Sequence, residues 1–414
     1  MQVLLLNDFA AVRGGSDQVA LAEARGLAAR GHQVTLWTAV GPVDPGLLGV
    51  PGLEVHCLGI QDILEDPQRL RAMARGLWNR TGAQALTRWL SGRDRHQIVA
   101  HVHGWSKGLT AAIFPVLHRA GLNPVVTMHD YFVVCPNGTF HDHQRNLACS
   151  RRPLGWSCVT THCDSRAYAH KLWRVARHAS QKWAGHVPGQ IRHLISLSAH
   201  SEMVLRPFLP PDVRVHRLGN PVAMERHPKV AVRANRTITY LGRLAQEKGV
   251  LVLASAVAAG VEGTPPVVFA GDGELRGEIL RRAPQVTVTG WLGRSEIEAV
   301  LEQTRVLVCP SVCHETFGLT AGEARARGIP VIVSDQCATR EQVRHGIDGW
   351  HFRQGDAESL RGALREAMND PVIEAYGQAA YDGYWAAPNG LNSHLDGLER
   401  IYAAIRQTST RVGE

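Results

Sequence analysis

The sequence predicts an α/β protein built from two doubly wound, Rossmann-like domains that face each other across a cleft. Three observations support this fold class. The chain has 414 residues, which is more than a single hydrophobic core usually holds. Strand-like and helix-like patterns alternate along most of its length, as they do where helices cover a parallel sheet. Many predicted strands end in glycine, serine or aspartate, and open parallel sheets bind ligands at those carboxyl ends.

The first series of elements defines an N-terminal domain at residues 1–222. The apolar run at residues 2–7 predicts the first strand,. Residues 16–32 predict a helix, because Ser16 suits an N-cap and Gly31 suits a helix end,. Further strands are predicted at residues 33–38, 54–58, 97–103, 124–129 and 193–198.

The polar, basic segment at residues 223–236 predicts a linker to a second series of elements,. We place the C-terminal domain at residues 223–375 and a set of C-terminal helices at residues 376–414. The strands of this domain are predicted at residues 237–242, 266–271, 286–290, 306–311 and 330–335. Since each series alternates strands with helical segments, each is expected to form its own parallel sheet.

Composition and charge narrow the classes of function. The hydrophobic content of 44% and the charged content of 20% are ordinary for a globular protein,. No stretch of sequence reaches the roughly 18 apolar residues needed to span a bilayer. The first residues lack the basic leader and long apolar run of a signal peptide, so we expect a cytoplasmic protein. The net charge of +8 favours an anionic partner, such as a nucleic acid, an acidic membrane or a phosphorylated substrate,.

The loop after the first predicted strand contains Gly14 and Gly15 and leads directly into a helix. Glycines let the backbone approach a ligand closely, and the start of a helix favours negative charge. The loop therefore suits a phosphate group. Its spacing differs from the G-x-G-x-x-G dinucleotide fingerprint, which argues against a nicotinamide cofactor.

Two cations follow the first strand of the second series. Arg243 and Lys248 lie in a loop that turns into the next helix. There they would neutralise a diphosphate, with arginine supplying a planar fork and lysine a point charge. The alternative is a solvated helix start with an ordinary surface pair between Glu247 and Lys248. The chain contains no Asp-x-Asp, so protein cations rather than a chelated divalent ion would hold the diphosphate.

Two glutamates, Glu315 and Glu323, lie eight positions apart around the start of a predicted helix. Each carboxylate offers strong acceptors for the vicinal hydroxyls of a sugar or a ribose. The free amides at the helix start between them would bind an anion. The alternative is an exposed helix with unrelated acids. The intervening residues argue against a plain solvent face, and they include Phe317, Gly318, Leu319 and Thr320.

At these residues the sequence resembles the retaining glycosyltransferases of family 4, which have the GT-B fold. The resemblance covers nearly the whole chain and is strongest between residues 237 and 352. It rests on Glu315 and Glu323, on Gly242 and Arg243 with residues 247–249, on Gly14 and Gly15, and on His129 and Asp130. Residues 271–275, 289–301 and 340–352 also resemble the donor domain of that family.

The resemblance implies that a sugar moves from a UDP- or GDP-sugar to a hydroxyl of a glycan, a lipid-linked sugar or a small molecule. The anomeric configuration would be retained through a front-face substitution that uses no catalytic cofactor. Arg243 and Lys248 would hold the diphosphate, Glu323 the ribose and Glu315 the donor sugar. His129 would face the reacting sugar from the N-terminal, acceptor-binding domain.

The resemblance thus implies two sets of site residues and a path for the end of the chain. The catalytic set is His129, Arg243, Lys248 and Glu315. The donor-binding set is Gly14, Gly15, Gly242, Arg243, Lys248, Glu315, Phe317, Gly318, Leu319, Thr320 and Glu323. The C-terminal helices would cross back to the first domain, as they do in GT-B proteins.

An insertion at about residues 131–190 carries four cysteines: Cys135, Cys149, Cys158 and Cys163. Four thiolates suffice for a closed tetrahedral zinc site. Their spacing lacks the paired C-x2-C of common zinc sites, although a bacterial subset of family 4 has a similar His-Asp-aromatic start, Cys-Pro and three later cysteines. The interpretations are a structural zinc site, inert thiols or redox-paired thiols.

The same insertion contains a basic amphipathic segment at residues 165–186, in which tryptophans alternate with arginines and lysines. Such a helix would lie on an anionic membrane, at the inner face in a cytoplasmic protein. The alternative is a helix whose apolar side joins the core and whose basic side is solvated. Membrane contact would suit a lipid-linked acceptor or a growing polysaccharide.

Two other functions compete with glycosyl transfer. A sugar-nucleotide epimerase shares the two-domain cleft, but the glutamate pair argues against it. A basic nucleic-acid-binding protein with a zinc module at residues 129–163 is permitted by the charge and the cysteines. Aromatic residues make up only 6% of the chain and no recognised reader motif occurs, so we expect no nucleic-acid partner.

Overall fold

The structure is a computed structural model that describes residues 1–222, 224–258 and 265–411, without the side chains of residues 408–411. Residue 223, where the second domain is predicted to begin, and the last residues, 412–414, lie outside the described residues. Two parallel sheets and one short antiparallel ribbon contain all the strands of the described part. We call the first sheet with its helices the first domain and the second sheet with its helices the second domain.

The strands are numbered in chain order. They are β1 (Gln2–Phe9), β2 (Gln33–Val40), β3 (Leu53–Ile60), β4 (Ile98–Val102), β5 (Val125–Thr127), β6 (His141–Asp142), β7 (Leu147–Ala148), β8 (His193–Ser196), β9 (Arg214–Arg217), β10 (Thr237–Leu241), β11 (Val267–Ala270), β12 (Thr287–Gly290), β13 (Thr304–Cys309), β14 (Val331–Ser334) and β15 (Gly349–Phe352).

The α-helices are numbered in the same way. They are α1 (Gly15–Ala29), α2 (Arg69–Leu77), α3 (Arg80–Ser91), α4 (Ile113–Arg119), α5 (Trp156–Thr160), α6 (Tyr168–Trp183), α7 (Ala199–Leu205), α8 (Val250–Ala258), α9 (Arg276–Arg282), α10 (Arg294–Glu302), α11 (Leu319–Ala326), α12 (Ala357–Ala367), α13 (Asp370–Ala386) and α14 (Leu391–Arg411). Short 3-10 turns include Gln246–Lys248 and Ala338–Gln342.

The first sheet has the strand order β3-β2-β1-β4-β5-β8-β9, and all its neighbouring strands are parallel. The order runs outward from β1 in both directions, so the sheet is doubly wound and reverses between β1 and β4. All residues of β1 except the first are buried. A strand covered on both faces needs such a continuous apolar run, which is why residues 2–7 predicted it.

The second sheet repeats this plan with the order β12-β11-β10-β13-β14-β15, again with parallel neighbours. It reverses between β10 and β13. The predicted class of two doubly wound α/β domains is therefore confirmed. Strands β9 and β15 and the ribbon of β6 and β7 were not predicted. Strands β6 and β7 have only two residues each, and β9 and β15 mix arginine, histidine or glycine with apolar residues, so they lack a buried-strand pattern.

Helix α14 returns from the second domain and covers one face of the first sheet. Leu395, Leu398 and Tyr402 of α14 join one buried cluster with Leu21 and Leu27 of α1. Each fully buried leucine stabilises the fold by roughly 1.5–3 kcal/mol relative to an exposed one. The last helix of the chain is therefore part of the core of the first domain.

A buried arginine ties β13 to the start of α13. The side chain of Arg305 is fully buried. Its Nε donates to the carbonyl oxygen of Ala367 at 2.9 Å, and its Nη2 lies 2.8 Å from Oδ1 of Asp370. Nη1 donates to the carbonyl oxygens of Arg233 and Asn235. One guanidinium thus connects the strand, the helix and the segment before β10, and its charge is compensated as buried charges require.

Gly249 sets the path of the loop that carries Lys248. Its φ is +67°, and a Cβ atom at this position would lie 1.8 Å from the carbonyl oxygen of Pro310. Only glycine combines this left-handed conformation with so close an approach. The loop after β10 is thereby held against the loop after β13.

The insertion forms the β6–β7 ribbon and helices α5 and α6. Helix α6 buries polar residues, namely Lys171, His178 and Gln181. It leaves Leu172 44% exposed and Trp183 68% exposed. The alternative of an apolar side in the core and a basic side in water therefore does not describe this helix. Among the residues that the structure describes, no helix has both the length and the apolar character needed to cross a bilayer.

Candidate active site

A cavity of about 390 Å³ lies between the two domains, where the carboxyl ends of the sheets face each other. The first domain contributes Gly15, Ser16, His129 and Asn220 to its lining. The second domain contributes Tyr240, Leu241, Gly242, Arg243, Lys248, Cys309, Ser311, Glu315, Thr316, Phe317, Gly318, Leu319, Thr320 and Thr339. The structure therefore brings most of the predicted site residues into one cavity.

These residues meet because each follows the carboxyl end of a parallel strand. His129 lies just after β5, Arg243 and Lys248 follow β10, and Glu315 follows β13. Strands β10 and β13 are neighbours at the point where the order of the second sheet reverses. A crevice at this point is the usual ligand site of a doubly wound sheet.

Lys248 and Glu315 form an ion pair inside the cavity, with 2.9 Å between Nζ and Oε1. The hydroxyl of Ser311 donates to the same carboxylate oxygen. Burial raises the pKa of the Glu315 carboxyl, but Lys248 and the Ser311 hydrogen bond outweigh it, so the pKa is lowered. Burial lowers the pKa of the Lys248 ammonium, but Glu315 outweighs that effect and the pKa is raised. Both groups therefore stay charged near neutral pH.

Arg243 is more exposed than Lys248, since 66% of its side chain is accessible. Its guanidinium pairs with Glu247, which is buried. The second oxygen of Glu247 lies 3.8 Å from Nδ1 of His143 in the first domain. The partner of Glu247 is thus Arg243 rather than Lys248, and this arrangement leaves Lys248 directed at the cavity.

Two helix starts face the cavity from opposite sides. Helix α11 begins at Leu319 after Gly318, whose φ is +95°. Helix α1 begins at Gly15, where a Cβ atom would lie 3.1 Å from a side-chain carbon of Leu319. The first amides of a helix have no partner within the helix and favour an anion. Gln342 holds the loop before α11 by donating to the carbonyl oxygens of Phe317 and Gly318.

His129 is the histidine of the cavity lining, and its backbone joins the domains. Its carbonyl oxygen accepts a hydrogen bond from the hydroxyl of Thr316 at 3.0 Å. Its Nε2 lies 2.9 Å from Nδ1 of His103. Burial, followed by the neighbouring His103, lowers the pKa of His129 to about 3. The imidazole is therefore neutral at physiological pH.

The sequence interpretation missed the side chains behind His129. His103 follows β4, and Glu23 lies on α1 with its Oε2 3.1 Å from Nε2 of His103. The pattern of His101 and His103 at the end of a buried strand was the signal available in the sequence. Nothing in the sequence indicated that Glu23 reaches the same place, because that contact depends on how α1 packs on the sheet.

Two predicted residues lie outside the cavity lining. Gly14 is the N-cap residue of α1, in an extended conformation. Glu323 lies on α11 and is half-buried. Burial raises the pKa of the Glu323 carboxyl, and the nearby Arg327 and Arg294 partly offset this effect. The structure therefore does not bring Gly14 and Glu323 into the lining of this cavity.

The four cysteines of the insertion line one small cavity together with Lys171. Tetrahedral zinc with Zn–S bonds of about 2.3 Å places its sulfurs roughly 3.8 Å apart. Across the described residues, no three of these sulfur atoms lie within 4.8 Å of one another. The buried ammonium of Lys171 lies 3.6 Å from Sγ of Cys158 and would repel a dication. The arrangement in the structure therefore does not fit a zinc site.

Comparison with known sequences finds matches to part of this chain. Residues 235–370 match the family Glycosyl transferases group 1. Glycogen synthase of Mycobacterium tuberculosis is 29% identical over 288 residues, which cover 66% of this chain and 61% of that protein. Phosphatidyl-myo-inositol mannosyltransferase of Mycobacterium leprae is 30% identical over 175 residues, or 41% of this chain and 46% of that protein. The matched region thus spans about three fifths or less of the length of these relatives.

Comparison with solved structures identifies the fold. Sucrose-phosphate synthase of Thermosynechococcus elongatus has a TM-score of 0.68 at 17% identity, covering 99% of this chain and all of the other. Anabaena HepE in complex with UDP and glucose has a TM-score of 0.66 at 14% identity, covering 97% of this chain and 99% of the other. The chain therefore has the GT-B fold, as predicted. The comparisons favour neither the epimerase nor the nucleic-acid-binding alternative.

Proposed function

We propose that this chain is a retaining glycosyltransferase that moves a sugar from a nucleotide-sugar donor to a hydroxyl of an acceptor. The observation that carries the proposal is the convergence of Lys248, Arg243 and the start of α11 on one cavity between the domains. Two cations and free amides at a helix start match the charge of a nucleoside diphosphate. The glycosyl transferases group 1 match at residues 235–370 supports the same assignment.

In this proposal the second domain stabilises the leaving diphosphate. Negative charge develops on the phosphate oxygens as the bond to the sugar breaks, and fixed donors aimed at such charge are the largest contribution a protein can make. Lys248 is already held in place by Glu315, so its charge needs little reorganisation when the donor binds. Arg243 lies at the mouth of the cavity and would close on the same group.

The arrangement of Glu315 supports a front-face substitution without a covalent glycosyl intermediate. Glu315 provides the carboxylate among the residues that line the cavity. Its Oε1 is engaged by both Lys248 and Ser311, which makes it a poor nucleophile. We infer that Glu315 orients the donor sugar, while the departing phosphate accepts the proton of the acceptor hydroxyl. In this proposal protein cations, rather than a metal ion, neutralise the diphosphate.

The names of the relatives and neighbours support a hexose donor. The Anabaena structure holds UDP and glucose, and a relative from Escherichia coli, 30% identical over 34% of this chain and 38% of its own length, is a galactosyltransferase that uses UDP-Gal. We infer a UDP- or GDP-hexose as donor and a glycan, a lipid-linked sugar or a small molecule as acceptor. Polysaccharide synthesis in a bacterium would suit these partners.

A donor panel tests the proposal. Purified protein is incubated with UDP-, GDP-, ADP- and TDP-sugars, and the release of free nucleotide by slow hydrolysis is followed. We expect one donor to be turned over, and Glu323→Ala to lower that rate at least about tenfold, because the ribose hydroxyls lose their acceptor. The matched control is Glu374→Ala, which removes an exposed glutamate of the same domain. Failure of every donor to bind or react would refute the proposal.

We further propose that residues 165–186 contact an anionic membrane surface from the cytoplasmic side. The exposed face of α6 carries Leu172 and Trp183, and Arg166 and Lys182 are exposed beside them. Tryptophan with flanking cations is typical of helices that lie at a lipid interface. This surface would bring the cleft close to a lipid-linked acceptor.

Vesicle binding measures this contact. We expect the protein to sediment with vesicles containing anionic phospholipid but not with neutral ones, and Trp183→Ala to weaken binding about fivefold or more. Trp291→Ala is the matched control, because Trp291 is 84% exposed but belongs to the second domain. Equal binding of both variants, or no binding of the wild type, would contradict the membrane contact.

A further inference from the structure

A buried polar cluster lies directly behind His129. It contains Glu23 of α1, His101 of β4, His103 and His394 of α14, and each is at most 3% exposed. None of these four lines the cavity. Burying a carboxylate and three imidazoles costs stability unless each group is paired. A cluster of this kind therefore suggests a role beyond packing.

The cluster connects to the cavity through one row of atoms. Oε2 of Glu23 lies 3.1 Å from Nε2 of His103. Nδ1 of His103 lies 2.9 Å from Nε2 of His129. Oε2 of Glu23 also lies 3.5 Å from Nδ1 of His101. Within the described part of the chain, neither Oε2 of Glu23 nor Nε2 of His103 makes a hydrogen bond of normal geometry, so the contact between them is a close approach of two buried polar atoms. Nδ1 of His129 is also buried and has no protein partner there.

The positions of the protons on His103 and His129 follow from the order of hydrogen-bond donors and acceptors along this row. Burial raises the pKa of the Glu23 carboxyl, but His103 and His394 outweigh it and lower the pKa well below its usual range. Glu23 is therefore an acceptor, and it faces Nε2 of His103 at 3.1 Å. A His103 ring with one proton, on that Nε2, accepts at Nδ1, so Nε2 of His129 carries the proton. Nδ1 of His129 is then left with a free lone pair.

We propose that Glu23 and His103 are positioning residues that hold His129, which lines the cavity, in one orientation as a neutral imidazole with its proton on Nε2. This inference rests on the proposed glycosyl transfer, because it assigns the histidine of that site its tautomer and orientation. Glu23 and His103 would thus act through His129 without touching the substrate themselves. In other enzymes, too, a carboxylate can orient the imidazole of a catalytic histidine.

A metal ion at the same cluster is the competing interpretation. Ligand atoms of Glu23, His101 and His103 lie within 4.8 Å of one another. Both ring nitrogens of His101 are already engaged, one with the hydroxyl of Tyr402 at 2.7 Å and one with that of Thr127 at 2.7 Å. Only one nitrogen of His103 and one oxygen of Glu23 remain, and two ligands are fewer than a closed metal site needs.

His394 anchors the far end of the row. Its Nε2 lies 2.9 Å from Oε1 of Glu23, and its Nδ1 lies 2.9 Å from the carbonyl oxygen of Gly219. The ring of His394 therefore bridges Glu23 and the segment after β9. The titratable groups near His129 are Glu23, His101, His103 and His394 behind it, and Lys248, Arg243 and Glu315 across the cavity.

Nitrogen-15 NMR of histidine-labelled protein tests the proposal without any turnover. The signals of His129 are assigned by their loss in His129→Gln. We expect a neutral ring with its proton on Nε2 from about pH 5 to about pH 9. In His103→Phe the partner nitrogen is gone, so the two tautomers of His129 should mix. A wild-type His129 protonated on Nδ1, or charged at neutral pH, would overturn the proposal.

Kinetics of the preferred donor provide the second readout. We expect His103→Phe to lower kcat on the order of 10²-fold while KM for the donor changes less than about twofold. His101→Phe is the matched control, since both ring nitrogens of His101 bond to Tyr402 and Thr127 rather than to His129, and its kcat should stay within about threefold of wild type. Equal losses in both variants would mean that the cluster is only structural.

The experiments distinguish a failure of the proposed glycosyl transfer from a failure of the proposed positioning of His129. Binding of UDP and GDP by calorimetry and the thermal unfolding midpoint show whether each variant is folded with an intact diphosphate site. If the wild type turns over no donor, the proposed function is lost, and the NMR spectrum still decides whether Glu23 and His103 fix the tautomer of His129. If donors react but the His129 spectrum and kcat are unchanged in His103→Phe, the positioning role alone is refuted.

Discussion

Replacing Lys248 by methionine is expected to lower nucleotide release from the preferred donor on the order of 10³-fold. The ammonium lies at the cavity and is held 2.9 Å from Glu315. Methionine keeps much of the side-chain volume but removes the charge that would meet the diphosphate. Steady-state kinetics of the preferred donor measure the effect. A loss smaller than about tenfold would contradict the role assigned to Lys248.

Lys248→Met also leaves the Glu315 carboxylate without its cation, so the effect of the lost charge must be distinguished from an effect of altered structure. The affinities for UDP and GDP distinguish the two effects. Lys248→Met should weaken diphosphate binding, whereas Glu315→Gln, which removes negative charge from the cavity, should not. The double variant should bind diphosphate as weakly as Lys248→Met but unfold at a higher temperature than it does, because no unpaired charge remains. Lys229→Met is the control for a general effect of charge, because Lys229 is a half-buried lysine in the segment before β10 that bonds to Gln378.

Replacing Arg305 by methionine is expected to lower the free energy of unfolding by about 3 kcal/mol or more. The guanidinium is fully buried and donates to the carbonyl oxygen of Ala367 and to Asp370. Methionine would leave buried carbonyl oxygens without donors. Urea denaturation followed by circular dichroism measures the change.

Arg236→Met provides a close control for this change. Arg236 contacts the same carboxylate oxygen of Asp370 at 3.1 Å, but its side chain is 60% exposed. An exposed ion pair contributes about 1 kcal/mol or less, so this variant should unfold close to the wild type. Equal destabilisation by the two variants would show that the charge on Asp370 matters more than the burial of Arg305.

Much of the fold followed from local sequence. The apolar runs within β1 and β13 are nearly continuous because these strands are buried on both faces, and such runs are readable without a structure. The cavity was predictable for the same reason. Residues that follow the carboxyl ends of parallel strands must meet at one edge, and Arg243, Lys248 and Glu315 all do so.

What could not be predicted depends on contacts between distant segments. The pairing of Lys248 with Glu315 joins the loops after two neighbouring strands, and no pattern near either residue indicates it. The position of Glu23 behind His103 depends on the rotation of α1 about its axis. The burial of Lys171 reverses the ordinary preference of lysine for water, because the insertion folds around it. Local propensity carries no information on such choices.

The return of α14 to the first domain has a consequence for synthesis of the protein. Leu395, Leu398 and Tyr402 complete a core cluster that includes residues of β1, α1 and β2 near the start of the chain. A ribosome adding about 5–20 residues per second needs roughly 10–35 s to make the about 170 residues between β9 and α14,. During that interval the nascent first domain has all its strands but exposes the apolar face that α14 will cover. The domain made first is thus the one finished last.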